Sequence, residues 1–432
     1  MKVVILGGGF GGLRLARNLN NKAGFEVTLI DRFNFHQFQP LFYQVATAGL
    51  DASNISFPLR KVFHNSKNVR FRMAEIEEIR HLEKEVQTSI GTFSYDVLVI
   101  ATGADTNFFG NVELQKHAYP MKSTVEALQL KHRLIQNFED ALVSDDPLRK
   151  EKLLTVVVVG GGATGVELGG AIADMKRFVL PKDYPELDFS QMKILLLEGT
   201  DKVLGMMSEK SSADSRRYLE RLGVTVMTNS LLKEYDGQTA VLTDGRTIHT
   251  SMVIWSAGIK GNVPEGIDPA LVVRGNRIIV DRRCAVKNMD CVYAIGDVAY
   301  MEEPAWPKGH PQVAPVAMQQ ADLLAHNLVR MEMKSGKKQF REFEYKNKGS
   351  MATVGRNLAV VDVPKPKLHF NGIFAWFIWM SLHLMLILGV KNRFFVFLNW
   401  VYNYFTRDQN LRLIFRSFFR KQEDKFSIQR EI

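Results

Sequence analysis

An α/β fold built around two glycine-turn units is predicted by three observations. The stretch VVILGGGFGGLRLARNLN, Val3 to Asn20, is matched in form by VVVVGGGATGVELGGAIADM, Val156 to Met175. Each begins in a β-branched run, and each is followed further on by a second apolar run that ends in an acid. A late stretch, rich in aromatic and then in basic residues, sets the end of the chain apart.

At 432 residues and 46% hydrophobic content, the chain exceeds the size at which one core keeps growing, so two or three domains are expected. Its two cysteines, Cys284 and Cys291, are too few for a disulfide framework. The N-terminus enters a buried strand at once, with no basic region or cleavage site, which points to a cytoplasmic body. The formal charge of +10 asks for a polyanionic partner, either nucleic acid or an anionic membrane surface. Lys391 to Ile432 carries nine Lys/Arg against four Asp/Glu, half of that excess.

Lys2 to Leu6 leads into Gly7, Gly9 and Gly12, which satisfy GxGxxG, and then into a helix-compatible run. One glycine makes the tight turn, one lets the backbone approach a pyrophosphate, and one lets helix and strand pack closely. The phosphate then sits at the positive end of the helix. The next strand ends in Asp31, where a ribose hydroxyl needs an acid. Strand, turn, helix, strand and acid in this order form a dinucleotide fingerprint, against the bland alternative of a turn kept only for close packing. The second unit repeats the order with Gly160, Gly162 and Gly165, a strand from Lys193, and Glu198. Its acid lies farther along because Arg177 to Asp188 adds an expected loop with two prolines. A carboxylate at Glu198, with no arginine directly after it, favours NADH over NADPH, although Lys202 stands close in sequence.

The overall plan resembles the two-dinucleotide-fold flavoprotein disulfide reductases. Tyr95 to Gly103, Val253 to Gly258 and Val292 to Asp297 resemble that plan's exit from a first domain, exit from an inserted second domain, and returning strand. The resemblance implies Rossmann-like FAD- and NADH-binding domains. FAD would be held by Gly7, Gly9, Gly12 and Asp31, by Thr102 and Gly103, and by Asp297 on its ribityl chain. NADH would be held by Gly160, Gly162, Gly165, Glu198 and Gly258. The implied boundaries are 1–120 for the first part of the FAD domain, 121–258 for the NADH domain, 259–330 for the returning part, and 331–432 for a C-terminal region.

Flavin must discharge its electrons. The redox CxxxxC pair of disulfide reductases is missing from the corresponding stretch, Phe38 to Leu50, FQPLFYQVATAGL. Cys284 and Cys291 read as small core residues, which also counts against a sulfide:quinone reductase. FQPLFYQVATAGL resembles the flavin-contacting segment of type II NADH dehydrogenases, the single-subunit NADH:quinone oxidoreductases, and so implies cofactor contacts for Gln44 and Ala46. Gly162 to Leu168 and Gly349 to Arg356 also resemble segments of that family. Its quinone signature AQxAxQ is met by Ala314-Pro315-Val316-Ala317-Met318-Gln319, with proline in place of the first glutamine. Glu167 and Gln319 are thereby implied at the reacting centre. A carboxyl at Glu167 can relay a proton to quinone, whereas its bland role is to stabilise the start of its helix. No metal site is expected.

Gly372 to Val390 contains no formal charge with His383 neutral, and by length alone it could span a bilayer. The basic tail and the unexported body want the same side, so an interfacial anchor is expected, with 372–390 packed partly on the body and partly in lipid. His383 is read as structural. From Leu411 to Lys421, aromatic and basic residues at helical spacing suit an anionic lipid surface and make a nucleic-acid partner unnecessary. The expectation is a non-pumping NADH:quinone oxidoreductase, peripheral or monotopic on the cytoplasmic face of the cell membrane, with a homodimer left open. The alternatives are a soluble NADH-dependent reductase of a protein electron carrier and a flavin- and NADH-loaded redox sensor.

Overall fold

The computed structural model describes residues 1–333 and 340–415. The first of two five-stranded sheets has the order Val292–Ala294, Val97–Ile100, Lys2–Leu6, Glu26–Asp31, Val69–Met73. The second has the order Tyr119–Pro120, Met252–Trp255, Thr155–Val159, Lys193–Leu197, Thr225–Met227. Every pairing in both is parallel. Parallel sheets are covered on both faces, which is why their strands read as unbroken apolar runs. Val3, Ile5, Val156, Val157 and Val158 accordingly have no exposed surface.

In each sheet the strand before the glycine turn is central, with the acid-terminated strand on one side and an exit strand on the other. The Val292–Ala294 strand pairs with Val97–Ile100 only after the whole second sheet has been laid down. The helices that matter below are α1 (Phe10–Leu19), α2 (Phe42–Ala46), α3 (Ala163–Phe178), α4 (Ala314–Glu332), α5 (Gly372–Leu386) and α6 (Val390–Thr406). Helix α3 runs through Phe178, and Leu180–Asp183 adds a short helix with a proline in its first turn. The loop expected over Arg177 to Asp188 is therefore helical in its first part, to Asp183, and a loop from Tyr184 to Asp188.

An antiparallel sheet of Ser350–Gly355, Leu358–Pro364 and Lys367–Asn371 closes over α3. Its approach is limited by Gly170, where an added Cβ would lie 1.9 Å from the Val354 carbonyl oxygen. Behind this sheet, Ala375 of α5 packs on Ala359 and Val361.

The apolar 372–390 segment is not one helix. Helix α5 stops at Leu386, Ile387 is extended, and Gly389 takes φ +82° before α6 begins. Among the described residues no helix is long and apolar enough to cross a membrane. Ala375, Trp379 and His383 recur every fourth residue and face the body, whereas Ile373, Phe374, Phe377 and Met385 are exposed. Helix α6 repeats this, with Val396 and Trp400 buried and Phe394, Phe397, Val401 and Phe405 exposed. The His383 ring stacks on Trp379 and its Nδ1 donates to the Trp379 carbonyl. The helical spacing expected from Leu411 is absent over 411–415, which has no regular structure, and 416–421 lies outside the described residues. Arg412 pairs with Asp183 and Asp408 instead of standing free for lipid. Of the cysteines, Cys284 is fully buried and Cys291 only partly.

Gly170→Ala should force the Ser350–Gly355 strand outward and destabilise the protein by about 1–3 kcal/mol. The thermal unfolding midpoint should fall relative to Gly205→Ala, a position where an added Cβ meets nothing within 4 Å.

Candidate active site

The two glycine turns are superimposable in their constraints. Gly7 and Gly160 both take φ +106°, a conformation side chains rarely adopt. At Gly12 a Cβ would lie 1.9 Å from the Gly7 carbonyl oxygen, and at Gly165 it would lie 1.9 Å from that of Gly160. Gly9 and Gly162, by contrast, face open space. Both are N-caps without a side-chain cap, and neither α1 nor α3 has an acid in its first turn. The open N–H groups and the helix dipole therefore remain available to a pyrophosphate.

The acids close each turn from the next strand. Asp31 accepts from the Gly8 N–H at 2.5 Å and from the Phe33 N–H at 2.7 Å. Glu198 accepts from the Gly161 N–H at 2.6 Å and from both N–H and hydroxyl of Thr200 at 2.8 Å. Lys202 is occupied by Glu209, which removes the cation nearest in sequence that could have met a 2′-phosphate.

Around the first turn, Thr102 donates to the Asn262 carbonyl at 2.5 Å while Gly103 accepts from the Asn262 N–H, joining outgoing and returning chain. Asp297 follows the returning strand, and burial raises its carboxyl above the usual range against the opposing pull of Lys122, 3.8 Å away, and Arg277. Lys122 and Arg277 carry no signal in the one-dimensional motif and were not expected. Gly258 lies against Phe109, near the exit of the second sheet.

A cavity of about 160 Å³, open to solvent, runs along α3. Glu167, Ala171, Asp174 and Phe178 line it at helical spacing, and Tyr43, Thr353, Arg356, Trp379, Trp400 and Tyr404 are among the residues facing them. Glu167 is 9% exposed, and burial pushes its carboxyl up to about 8 against weaker stabilisation of the charge by the Thr353 N–H and Trp379. Asp174 is raised to about 6, again by burial, with the Arg356 N–H bonded to it at 2.8 Å. A chain of polar contacts reaches Glu167 from α6. The Trp400 indole donates to Gln44 at 2.7 Å, Gln44 donates to the Tyr43 hydroxyl at 2.8 Å, that hydroxyl meets Thr353 Oγ1 at 3.1 Å, and the Thr353 N–H reaches Glu167 at 3.4 Å.

The chain matches the family model of pyridine nucleotide-disulphide oxidoreductases over residues 1–321, and the NDH2 C-terminal domain over residues 347–408. It is 35% identical over 416 residues to a type II NADH:quinone oxidoreductase, NdhA, of Mycobacterium tuberculosis, covering 92% of this chain and 86% of that one. It belongs to the type II NADH:quinone oxidoreductases. The fold is similar to that of NDH2 from Plasmodium falciparum solved with NADH, with a TM-score of 0.87 at 21% identity, covering 96% of this chain and 99% of that one. The sulfide:quinone oxidoreductase of Aquifex aeolicus is also similar in fold, with a TM-score of 0.71 at 20% identity, covering 91% and 92%. Burial raises the Cys284 thiol above the range in which a thiol ionises. Its cofactor is FAD and its electron donor NADH.

Two expected residues stand apart from the cavity of this oxidoreductase. Gln319 spends both ends of its amide on the Lys346 backbone, at 3.1 and 3.0 Å, and does not line the cavity. One residue on along α4, Gln320 is 1% exposed and accepts from the Gly296 N–H at 2.7 Å. The helical rotation between them decides which amide points inward. Ala46 is fully buried in the core, and Gln44 is turned toward Tyr43 and Trp400. Pro315 sits in the first turn of α4, where a missing N–H costs nothing. Asp174 and the Tyr43–Thr353 pair were not expected, although the 167, 171, 174, 178 spacing on one predicted helix held the signal for Asp174.

Glu167 keeps its proton in the folded protein up to about pH 8, whereas an unfolded chain releases it near 4.5. The folded state thus binds more protons across that interval, so this group costs stability increasingly as pH rises from about 4.5 to about 8. Thermal midpoints of Glu167→Gln should be flatter with pH over this window than those of wild type, and an unchanged slope would contradict the buried neutral acid.

Proposed function

We propose that FAD lies along the first glycine turn and NADH along the second, and that quinone enters the cavity on α3 from the membrane surface. The single observation that carries this reading is the position of Glu167, a carboxyl neutral near physiological pH, in a cavity whose other walls are the outward-facing helices α5 and α6. When bound, FAD accepts hydride from NADH and passes two electrons on.

The residues fit that cofactor. Gly9 leaves room at the α1 terminus, Gly12 and Gly7 fix the turn, Asp31 orients it, and Asp297 offers a half-buried carboxyl to a hydroxylated chain. On the donor side, Glu198 accepts ribose hydroxyls and disfavours a 2′-phosphate. At the acceptor side, the balance NADH + H⁺ + quinone → NAD⁺ + quinol needs one proton beyond those carried by NADH. Glu167 holds a proton next to the cavity and can give it to a quinone oxygen. Tyr43, Thr353 and Gln44 hold the wall opposite Glu167 in place, and the Trp379 ring closes it.

The exposed aromatic faces of α5 and α6 suit burial in the headgroup and acyl boundary, with Lys391 and Arg393 near an anionic surface. Because a quinone tail stays in lipid, the same helices that border the cavity also anchor the body. The positive end of the chain favours the cytoplasmic face. With no crossing helix among the described residues, electron transfer proceeds without proton pumping.

Ala171→Phe, at an intermediate position on the cavity face of α3, should lower quinone turnover by tenfold or more while NADH:ferricyanide reduction continues; equal quinone rates would remove quinone from this cavity. Replacing Phe374, Phe394 and Phe405 by serine should abolish cosedimentation with anionic lipid vesicles. Retained binding would place the lipid contact elsewhere.

A further inference from the structure

Arg356 is a cation lining the cavity, and its bonding is incomplete among the described residues. It follows the Ser350–Gly355 strand, and its backbone N–H, not its side chain, makes the bond to Asp174. The guanidinium lies 4.2 Å over the Tyr404 ring, and its Nη2 donates to the Tyr404 carbonyl oxygen. These contacts fix the plane of the group. They leave Nη1 buried with no hydrogen-bond partner among the described residues. Trp379 Nε1 and Gln409 Oε1, also on residues lining the cavity, are likewise buried without a full partner.

An unpaired buried donor is costly, most of all on a charged group, so a fixed guanidinium with an unpartnered Nη1 calls for an acceptor that arrives with the ligand. The position defines what that acceptor can be. Asp174, to which the Arg356 backbone is bonded, lies seven residues beyond Glu167 on α3, or about 10 Å along the helix axis. The cavity therefore has Glu167 and Arg356 about one helical segment apart, with the rings of Trp379, Trp400 and Tyr404 among its lining residues. A para-quinone matches this pattern, because it is a flat ring with two opposed carbonyl oxygens, both acceptors.

We propose that Arg356 binds the quinone headgroup, its free Nη1 donating to the carbonyl oxygen that faces away from Glu167. This rests on the assignment of quinone to the cavity. Arginine suits the task because Tyr404 can hold its planar group by one face and one edge while another edge remains for substrate. Lysine offers the charge without that fixed geometry. After reduction the same oxygen is a hydroxyl, a weaker acceptor for a cation, so the contact favours the oxidised substrate over the product.

The test compares full-length, FAD-loaded wild type with Arg356→Met, Arg356→Lys and Ala171→Phe, using a short-chain soluble quinone in detergent. Arg356→Met should raise the quinone KM about tenfold, the loss expected for one hydrogen bond to a charged group. Its kcat should change less, and the NADH KM and flavin absorbance should match wild type. Arg356→Lys should fall between the two. A wild-type quinone KM in Arg356→Met would overturn the proposal, as would a KM increase that is accompanied by loss of bound flavin in both Arg356 variants. If Ala171→Phe blocks quinone while Arg356→Met does not alter its KM, only the role of Arg356 fails. If Ala171→Phe itself reduces quinone normally, the cavity assignment fails first.

Discussion

Both nucleotide sites depend on one repeated interaction, a carboxylate at the end of one strand accepting from the second glycine N–H at the end of its neighbour. Asp31 does this for Gly8, and Glu198 does it for Gly161. The bond is possible only because the two strands are parallel and in register, as Leu6 opposite Ile30 and Val159 opposite Leu197 show. It holds the turn whose tightness is set by Gly7 against Ala101 and by Gly160 against Ser256. Each acid thereby fixes the backbone of its turn. Under the proposed placement of the nucleotides, the side chain that orders the phosphate-binding backbone also stands beside the ribose, and the turn recurs with the same spacing and the same φ.

This constraint also explains what could be read without coordinates. A turn that tolerates only glycine at fixed intervals, flanked by fully buried parallel strands, leaves its mark in a linear string, and so both sheets and both acids were legible. The exposed aromatic faces of α5 and α6 were legible for a similar reason, since few other settings require so many large apolar side chains without charge. The break at Gly389 was less so, because apolar content does not reveal where a helix ends. At α4 the motif pointed to Gln319, yet one step of helical rotation gives the inward position to Gln320. The partners of Glu167 were the least legible: Tyr43, Thr353 and Trp379 come from three elements far apart in sequence, and only tertiary packing brings them together.

Burial at Glu167 works against stability and in favour of chemistry. A carboxylate in that position would be poorly solvated, with one 3.4 Å backbone contact and one indole nearby, so the neutral acid prevails. The cost is borne by a body with two extensive cores and a sheet packed to backbone contact at Gly170. Asp174 shows the gradation along the same helix. It has a shorter backbone donor contact, from the Arg356 N–H at 2.8 Å, and is raised less, to about 6.

The polar chain from Trp400 to Glu167 gives α6 two inseparable roles. Its outward residues form the exposed aromatic face proposed above as the lipid contact, and its inward Trp400 is hydrogen-bonded to Gln44, two contacts away from Thr353. Asn403 adds a bond to the Gly49 carbonyl, and Asn392 adds bonds to the carbonyls of Ser53 and Ser56. Helix α6 is thus fastened along its length to the 44–56 segment rather than tethered by its end. Trp400 and Asn403, which hold this helix to the body, also line the cavity, so the proposed lipid-facing helix and the cavity wall are parts of one element.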